Sequence, residues 1–422
     1  MQDAGYVASV REALSKRSLR LSTTVVDQIL ASGTTALALV SFARTGPVVE
    51  FAAIALVVTA GLSVVGVSRS LTAPWLVQRS QNLAVQDSEA RSWFLWICVL
   101  GGVATLLGWS IAALGGYPLA PTTLLVCLTF GLAVPREALR ILALGTSRHL
   151  SALWSDAIWF SSAFVGFLSS VEATQTSTVI TALAWFLGAM VSLAFLMWKL
   201  SVVPALEGTL NWLKMHYEWL RLLGSSSVLV SLVASLVALA VAWQFGDDDL
   251  AGWRGAGLLV SPVTMVLAVV PVLTISSALN RVVKASRKPL GIYLTSASLA
   301  FALSVILGVA LRGIPVTVGE WLLGDVWNLA HELILPVSLV AGLAVLLQVA
   351  LSLLKVQKQH RTVAALASFN SLAGLSAVVA VGLIGWSFSI AIYMTGVMTT
   401  LACISSWLLV RRLFIQMGGK CT

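Results

Sequence analysis

Six polar residues interrupt stretches of sequence that are otherwise apolar: Asp27, Arg69, Arg136, Arg140, Asp156 and Asn370. A carboxylate inside an apolar run is costly to keep, and carrying a proton or a sodium ion is one use that justifies it. For Asp27 two readings stay open: such a carrier, or a residue near the inner face paired with a cation such as Arg20. Guanidinium groups match phosphate because their planar fork donates two bonds at once. Arg136 and Arg140 are four apart and share one helical face, and with Arg69 they could line a cavity that receives a diphosphate. The plain alternative is topology signalling plus a local Glu137–Arg140 pair. Arg69 is the strongest of the three, because it lies farthest in sequence from any acidic residue. Asp156 and Asn370, with Asn280, either line a cavity or bridge helices by hydrogen bonds.

Little else in the chain could do chemistry. His331-Glu332 lacks the second histidine of a zinc protease helix, and no glycine-rich loop ends in Lys-Ser or Lys-Thr. Cys98, Cys127 and Cys403 fall in apolar runs and Cys421 in the terminal tail, a pattern that suits neither a disulfide nor a metal site. No catalytic residue, metal or cofactor is therefore expected, and the chain does not read as an enzyme. Asp247-Asp248-Asp249 would suit a divalent ion, or would simply form a solvated loop tip that keeps a hairpin out of the bilayer.

The elements that must position these residues follow from composition. Charged residues make up 10% of the 422 positions, against roughly 25% in soluble domains, while AVILMFWYC residues make up 58% and mean hydropathy is +0.94. So few charges cannot cover a soluble protein of this length, which excludes a soluble enzyme, a nucleic-acid binder and a secreted disulfide scaffold. A bilayer-spanning helix needs about 20 apolar residues. Runs of that size lie at 21–43, 50–73, 93–114, 119–141, 151–171, 177–198, 223–245, 255–277, 290–311, 331–354, 363–384 and 386–410. The last two are separated only by Gly385 and Trp386, but together they are too long for one span. The polar stretch before the first run carries Arg11, Lys16, Arg17 and Arg20 and has no clear cleavage site, so the first run reads as an anchor that stays.

Positive charge supports the count. With the amino terminus inside, all of the 26 basic residues except Arg44, Arg254 and Arg312 fall in inner segments, a strong positive-inside bias. One helix more or fewer would reverse the parity and spoil it. Twelve helices with both ends cytoplasmic are expected. The longest outer loop, 312–330, holds Trp321 and Trp327, which suit a membrane interface.

Near mid-chain the pattern changes. Glu207, Asn211, Lys214, Glu218 and Arg221 alternate by four and three with Leu206, Leu210, Leu213, Tyr217 and Leu220 one residue ahead of each. That is an amphipathic helix over about 205–222, lying in the inner interface, after six helices and before six. It divides an amino-terminal lobe, 1–205, from a carboxy-terminal lobe, 206–422. Each lobe opens with a long helix, a short outer turn and a second helix ending in a basic inner loop, a plan common among transporters. Pro135, Pro262, Pro271 and Pro336 would permit helix bends.

The opening hairpin reads Asp27-Gln28-Ile29-Leu30-Ala31-Ser32, Ala43-Arg44-Thr45-Gly46-Pro47 and Glu50-Phe51. It resembles that of polysaccharide flippases, the O-antigen type, of the multidrug/oligosaccharidyl-lipid/polysaccharide exporter superfamily. Arg69-Ser70-Leu71 with Pro74-Trp75-Leu76-Val77, Ser261-Pro262, and Leu323-Gly324-Asp325-Val326-Trp327 resemble later segments of that family. The resemblance implies an all-α integral membrane fold of two six-helix lobes around a central cavity. It implies a monomeric, multi-pass protein of the bacterial plasma membrane that moves a polyprenyl-diphosphate-linked oligosaccharide to the outer leaflet by alternating access. The family's cationic cavity would map onto Arg69, Arg136 and Arg140, with Asp156 beside them. Its lipid II branch holds sodium with acids on the seventh and eleventh helices. Here 223–245 has no acid and the eleventh helix offers Asn370, so Asp27 and Asn370 are the ion-coupling candidates, for a proton or sodium. Expected partners are this lipid-linked substrate, membrane lipids and the ion, not nucleic acid.

Two other readings compete. An ion-coupled multidrug exporter on the same fold would use Asp27 equally well, although a carrier of cationic drugs would favour an acidic cavity. A membrane glycosyltransferase using polyprenyl donors would need a large outer loop or an acidic pair in the first one. Residues 44–50 hold one acid only. A sugar transporter of the major facilitator type is weaker still, since no Gly-Asp-Arg-Gly-like motif follows the second helix.

Overall fold

The computed structural model describes residues 26–79, 87–118, 120–146, 148–171, 176–207, 209–219, 225–261, 289–357 and 359–418. Among these residues every regular element is a helix. An apolar segment in hydrocarbon must satisfy its own backbone, which a helix does residue by residue. The amino-terminal lobe comprises α1 (Val26–Thr45), α2 (Val48–Arg79), α3 (Asp87–Leu114), α4 (Pro121–Gly145), α5 (His149–Ser170) and α6 (Thr176–Leu200). A short helix α7 (Thr209–Trp219) follows. The carboxy-terminal lobe comprises α8 (Ser225–Phe245), α9 (247–261), α10 (Pro289–Arg312), the short outer α11 (Val316–Leu323), α12 (Val326–Val356), α13 (His360–Ile384) and α14 (Phe388–Gly418).

Nine of the described helices are long and apolar enough to cross a membrane. α4 and α5 are of spanning length but carry charged residues of the site, and α9 is described only as far as residue 261. Counting these three gives the twelve spans expected. Pro262, Pro271, Asn280 and Arg20 also lie outside the described residues.

The two lobes repeat one packing pattern. α4 packs against α3 and α6, and α5 against α6. In the other lobe α12 packs against α10 and α14, and α13 against α14. Each central helix carries a proline, Pro135 in α4 and Pro336 in α12. Small residues let helices approach closely, as membrane packing requires. A Cβ on Gly61 of α2 would lie 2.1 Å from the Phe130 ring of α4.

Several boundaries have local causes. Pro121 opens α4, where its missing N–H is not needed. α13 ends on Gly385, whose φ of +77° is the left-handed cap that glycine adopts without penalty, and α14 starts three residues later. This resolves the long 363–410 run into two helices. Two expected loops are helical instead. Asp247–Asp249 form the first turn of α9, where carboxylates favour the positive end of the helix, and α11 fills part of 312–330.

α7 leaves 205–207 of the expected 205–222 outside the helix and docks on the inner end of α3. Ser92 Oγ donates to the Glu207 carbonyl at 2.9 Å, and Trp96 Nε1 to that of Thr209 at 3.4 Å. Its Trp212 is buried while Leu210 and Tyr217 stay exposed, as for a helix lying in an interface.

One apolar core fills the amino-terminal lobe and continues into the outer half of the other lobe through Val241, Leu250, Leu323, Trp327 and Phe388. The inner half of the carboxy-terminal lobe has a separate core around Tyr293, Leu347, Val363 and Val410. Trp327 is therefore a core residue, fully buried against Gly319, and not an interfacial anchor. Trp321 is exposed as expected.

Candidate functional site

Five of the six residues singled out in the sequence meet in the amino-terminal lobe. α4 supplies Arg136, Glu137 and Arg140, α1 supplies Asp27, α2 Arg69 and α5 Asp156. At 1.5 Å per residue, Arg136 and Arg140 lie about 14 and 8 Å from the inner end of α4, within the inner half of the bilayer.

The residues form one continuous ion network. Arg140 clamps Glu137 with two bonds, Nε to Oε2 at 2.8 Å and Nη2 to Oε1 at 2.9 Å. Its Nη1 bonds Asp27 Oδ2 and reaches Asp156 Oδ2 at 3.4 Å. Arg136 donates to Asp156 Oδ1 through Nη2 and to Ser192 Oγ through Nε. Arg69 donates from Nε to Glu137 Oε1 at 2.7 Å. Three cations thus meet three carboxylates, and the network is neutral when all are ionised.

Its walls are packed. Arg136 lies over the Trp159 ring, 4.5 Å from the centroid, a contact worth about 2 kcal/mol or more once desolvated. Trp159 stacks on Trp185 and donates to its carbonyl at 3.0 Å. Ser155 and Ser192 cross-link α5 and α6, with Oγ atoms 2.7 Å apart.

Exposure separates the members. Arg136, Glu137, Arg140, Asp27 and Asp156 are buried, but the Arg69 side chain is 49% exposed. The expected cationic cavity is thus largely internal charge balance: Arg136 and Arg140 are enclosed and bonded to carboxylates. Of the three arginines, Arg69 is the one whose side chain is open to another partner. Asp27 pairs with Arg140, 113 residues away, and its second oxygen is buried with no hydrogen-bond partner among the described residues.

Glu137 is the residue that sequence reasoning undervalued. The sequence shows it only as a local partner of Arg140, yet in the fold it also holds Arg69 across 68 residues. The visible signal was Arg136-Glu137-Ala138-Leu139-Arg140 inside an apolar run, since so much charge in a span needs partners from neighbouring helices. Trp159, one turn beyond Asp156, and Ser192 carried no comparable signal.

Asn370 stands apart, in the other lobe. It lines a cavity of about 350 Å³ among α8, α9, α12, α13 and α14, whose walls include Val237, Val337, Val340 and Val378. Among the described residues, no carboxylate lines that cavity.

The two lobes meet across their outer ends. Tyr117, in the turn between α3 and α4, donates its hydroxyl to Asp247 at the start of α9. Burial and the neighbouring Asp247 push the Tyr117 phenol upward, so it stays a donor at neutral pH. Trp243 Nε1 of α8 donates to the Leu114 carbonyl of α3 at 3.0 Å. Arg44 of α1 lies 4.8 Å from the Trp321 ring centroid of α11. Gly324 sits so close to the Arg44 backbone that a Cβ would come within 3.1 Å of its carbonyl oxygen. Halfway down, Ser235 of α8 faces Ser63 of α2 at 3.4 Å. Asp247 thus serves a contact between lobes, and no cluster of three metal-ligating side chains occurs among the described residues.

No protein-family model matches the sequence, and no curated protein does. Solved structures do match in fold. An outward-facing multidrug resistance MATE family transporter of the MOP superfamily superposes with a TM-score of 0.64 at 13% identity, covering 96% of each chain. An inward-facing structure of such a transporter gives 0.63 with the same identity and coverage. A MOP superfamily transporter from Pyrococcus furiosus, described as having a binding pocket of reversed polarity, gives 0.61 at 13% identity, covering 94% of this chain and 96% of its own. The chain has the fold of these transporters from end to end.

Proposed function

We propose that the chain is a transporter of the MOP superfamily that carries an anionic amphiphile across the membrane by alternating access. The substrate class we favour is a polyprenyl-diphosphate-linked oligosaccharide, moved from the cytoplasmic to the outer leaflet of a bacterial plasma membrane. The observation that carries this reading is Arg69. It is the half-exposed member of an otherwise enclosed network, so a diphosphate can approach it while Glu137, itself clamped by Arg140, holds it in place. Unaided passage of a sugar diphosphate through hydrocarbon leaves many polar groups without partners, at several kcal/mol each. A protein path lined by such donors removes that barrier.

The direction of opening follows from the lobe contacts. In the orientation set by the basic residues, the contacts of Tyr117, Trp243 and Arg44 close the outer side. Asp27, sharing Arg140 with two other carboxylates and holding one unmet oxygen, is the proposed site of proton or sodium coupling.

A second reading, an ion-coupled multidrug exporter, is favoured by the apolar cavity beside Asn370, which has no use in handling a diphosphate. Proteoliposomes decide between them. Translocation of a fluorescent polyprenyl diphosphate, lost in Arg69→Ala, supports the flippase. Transport of a cationic dye that is unaffected by Arg69→Ala, without lipid translocation, overturns it.

A further inference from the structure

The inner end of the α5–α6 pair holds two cations that no carboxylate among the described residues neutralises. Arg148, which precedes α5, donates from Nη1 to the Lys199 carbonyl at 2.7 Å. That carbonyl belongs to the last turn of α6, where helical partners run out. The Lys199 ammonium lies 4.0 Å from the Trp198 ring centroid and 6.0 Å from that of Phe195. Both cations thus stand within one lysine side chain's reach of the same peptide group. Both residues are exposed. Neither forms an ion pair among the described residues.

The surface beside them suits hydrocarbon. The two helices run antiparallel, with Ser155, Trp159 and Gly166 of α5 against Ser192, Trp185 and Thr181 of α6. At about 100° per residue, that contact turns Trp154 and Trp198 to the same side of the pair. Trp198 is 70% exposed and Trp154 61%. Val165 and Leu168 continue the face of Trp154, and Leu187 and Val191 that of Trp198; all four are exposed. An apolar seam therefore runs along both helices and ends at the two cations. Trp198 lies in the last turn of α6, and Trp154 about 8 Å along α5, depths at which indole rings meet headgroups. A lone lysine at a helix end snorkels to water and selects nothing. Here a second cation is fixed beside it by a backbone bond. The cations select a negative phosphate, and the seam selects acyl chains attached to it. A zwitterionic phospholipid would bring a positive group to the same place.

We propose that the inner end of the α5–α6 seam is a binding site for an anionic phospholipid of the surrounding leaflet. Its phosphate lies between Arg148 and Lys199, and its chains run along Trp154 and Trp198. In the orientation expected from the basic residues, that leaflet is the cytoplasmic one, whose surface is negative. The site stands whether or not the flippase reading holds, because it shares no residue with the network around Arg140.

The test uses the full chain in phosphatidylcholine nanodiscs doped with one of two probes, phosphatidylglycerol or phosphatidylcholine, each bearing a diazirine on an acyl chain. Adducts are mapped by peptide mass spectrometry. Phosphatidylglycerol should label the segments around Trp154 and Trp198 at least about fivefold more than phosphatidylcholine, since each basic residue near the surface contributes about a factor of five. Arg148→Gln, which keeps a donor for the Lys199 carbonyl, and Lys199→Gln should each reduce that preference, and the double variant should bring it to parity. Arg361→Gln with Arg411→Gln, exposed at the inner ends of α13 and α14, should leave it unchanged. Equal labelling of these segments by both probes in the native chain would overturn the proposal. So would a preference that survives in the double variant, which would show that the basic inner face as a whole gathers the lipid. The comparison of probes on the native chain needs no variant, so misfolding of a substitution does not shelter the idea.

Discussion

α4 and α12 occupy equivalent places in the two lobes, each at the centre of its packing and each with a proline part-way along. After that proline their sequences diverge. α4 continues Pro135-Arg136-Glu137-Ala138-Leu139-Arg140, and α12 continues Pro336-Val337-Ser338-Leu339-Val340-Ala341. The first brings charge into the lobe and draws in Asp27, Arg69 and Asp156 to balance it. The second brings none, and its Val337, Val340 and Ala341 become a wall of an apolar chamber. One architecture thus serves two solvents: one lobe replaces water for charged groups and the other offers hydrocarbon. The lesson is that a repeated fold sets positions, and the residues at those positions set chemistry.

The comparison can be broken most forcefully at Asp156. Asp156→Ala leaves Arg136 buried without its partner, and losing one member of a buried pair costs about 3–5 kcal/mol. Thermal unfolding in detergent should show a large loss, and Val337→Arg in α12 should cost a similar amount, as an unpaired charge in the apolar lobe. A melting midpoint for Asp156→Ala within about 2 °C of the native value would show that the network is not enclosed as described.

Arg69→Ala probes function more than stability. Its side chain is half-exposed, so unfolding should change by less than about 1 kcal/mol. Loss of charge-assisted bonds to substrate, about 1.5–3 kcal/mol, should slow lipid diphosphate translocation roughly 10- to 100-fold. A variant that transports normally removes Arg69 from the substrate path.

Tyr117→Phe deletes the hydroxyl that ties the outer ends of the lobes together. A bond to a carboxylate of this kind is worth about 1–2 kcal/mol, so the population open to the outside should rise about fivefold or more. Spin labels at the outer ends of α3 and α9 would report longer distances; an unchanged distribution would mean that Tyr117 closes nothing.

The smallest effect has the opposite sign. In the absence of a ligand, Asn370→Leu should stabilise the chain by about 1 kcal/mol, because it removes an unmet acceptor without exposing another. Polar removal would then destabilise one lobe and stabilise the other, and chemical denaturation of the two variants side by side measures the contrast. If Asn370→Leu destabilises as Asp156→Ala does, Asn370 has a partner within the protein and the contrast fails.

Much of this was legible in advance. The apolar runs located the described helices with their ends displaced by up to about eight residues, since span length follows from bilayer thickness. Arg69, Arg136, Arg140, Asp27 and Asp156 stood out because charge in a span demands a reason. Their joint occurrence in one network was not legible: the plain reading paired Asp27 with a cation nearby in sequence, whereas its partner is Arg140. Trp327 misled because its sequence position in an outer loop said nothing of the glycine surface beneath it. Asp247 looked like a loop tip because its partner Tyr117 lies 130 residues away.

The sequence by itself determined that this chain is built of membrane-spanning helices and about how many there are, because hydropathy acts locally, segment by segment. Only the tertiary structure decided which charges are free. Arg136, Arg140 and Arg69 are the same residue type in the same kind of helix, yet two are saturated by carboxylates from other helices and one faces outward. Electrostatic pairing acts over a few ångströms of space and has no fixed relation to distance along the chain.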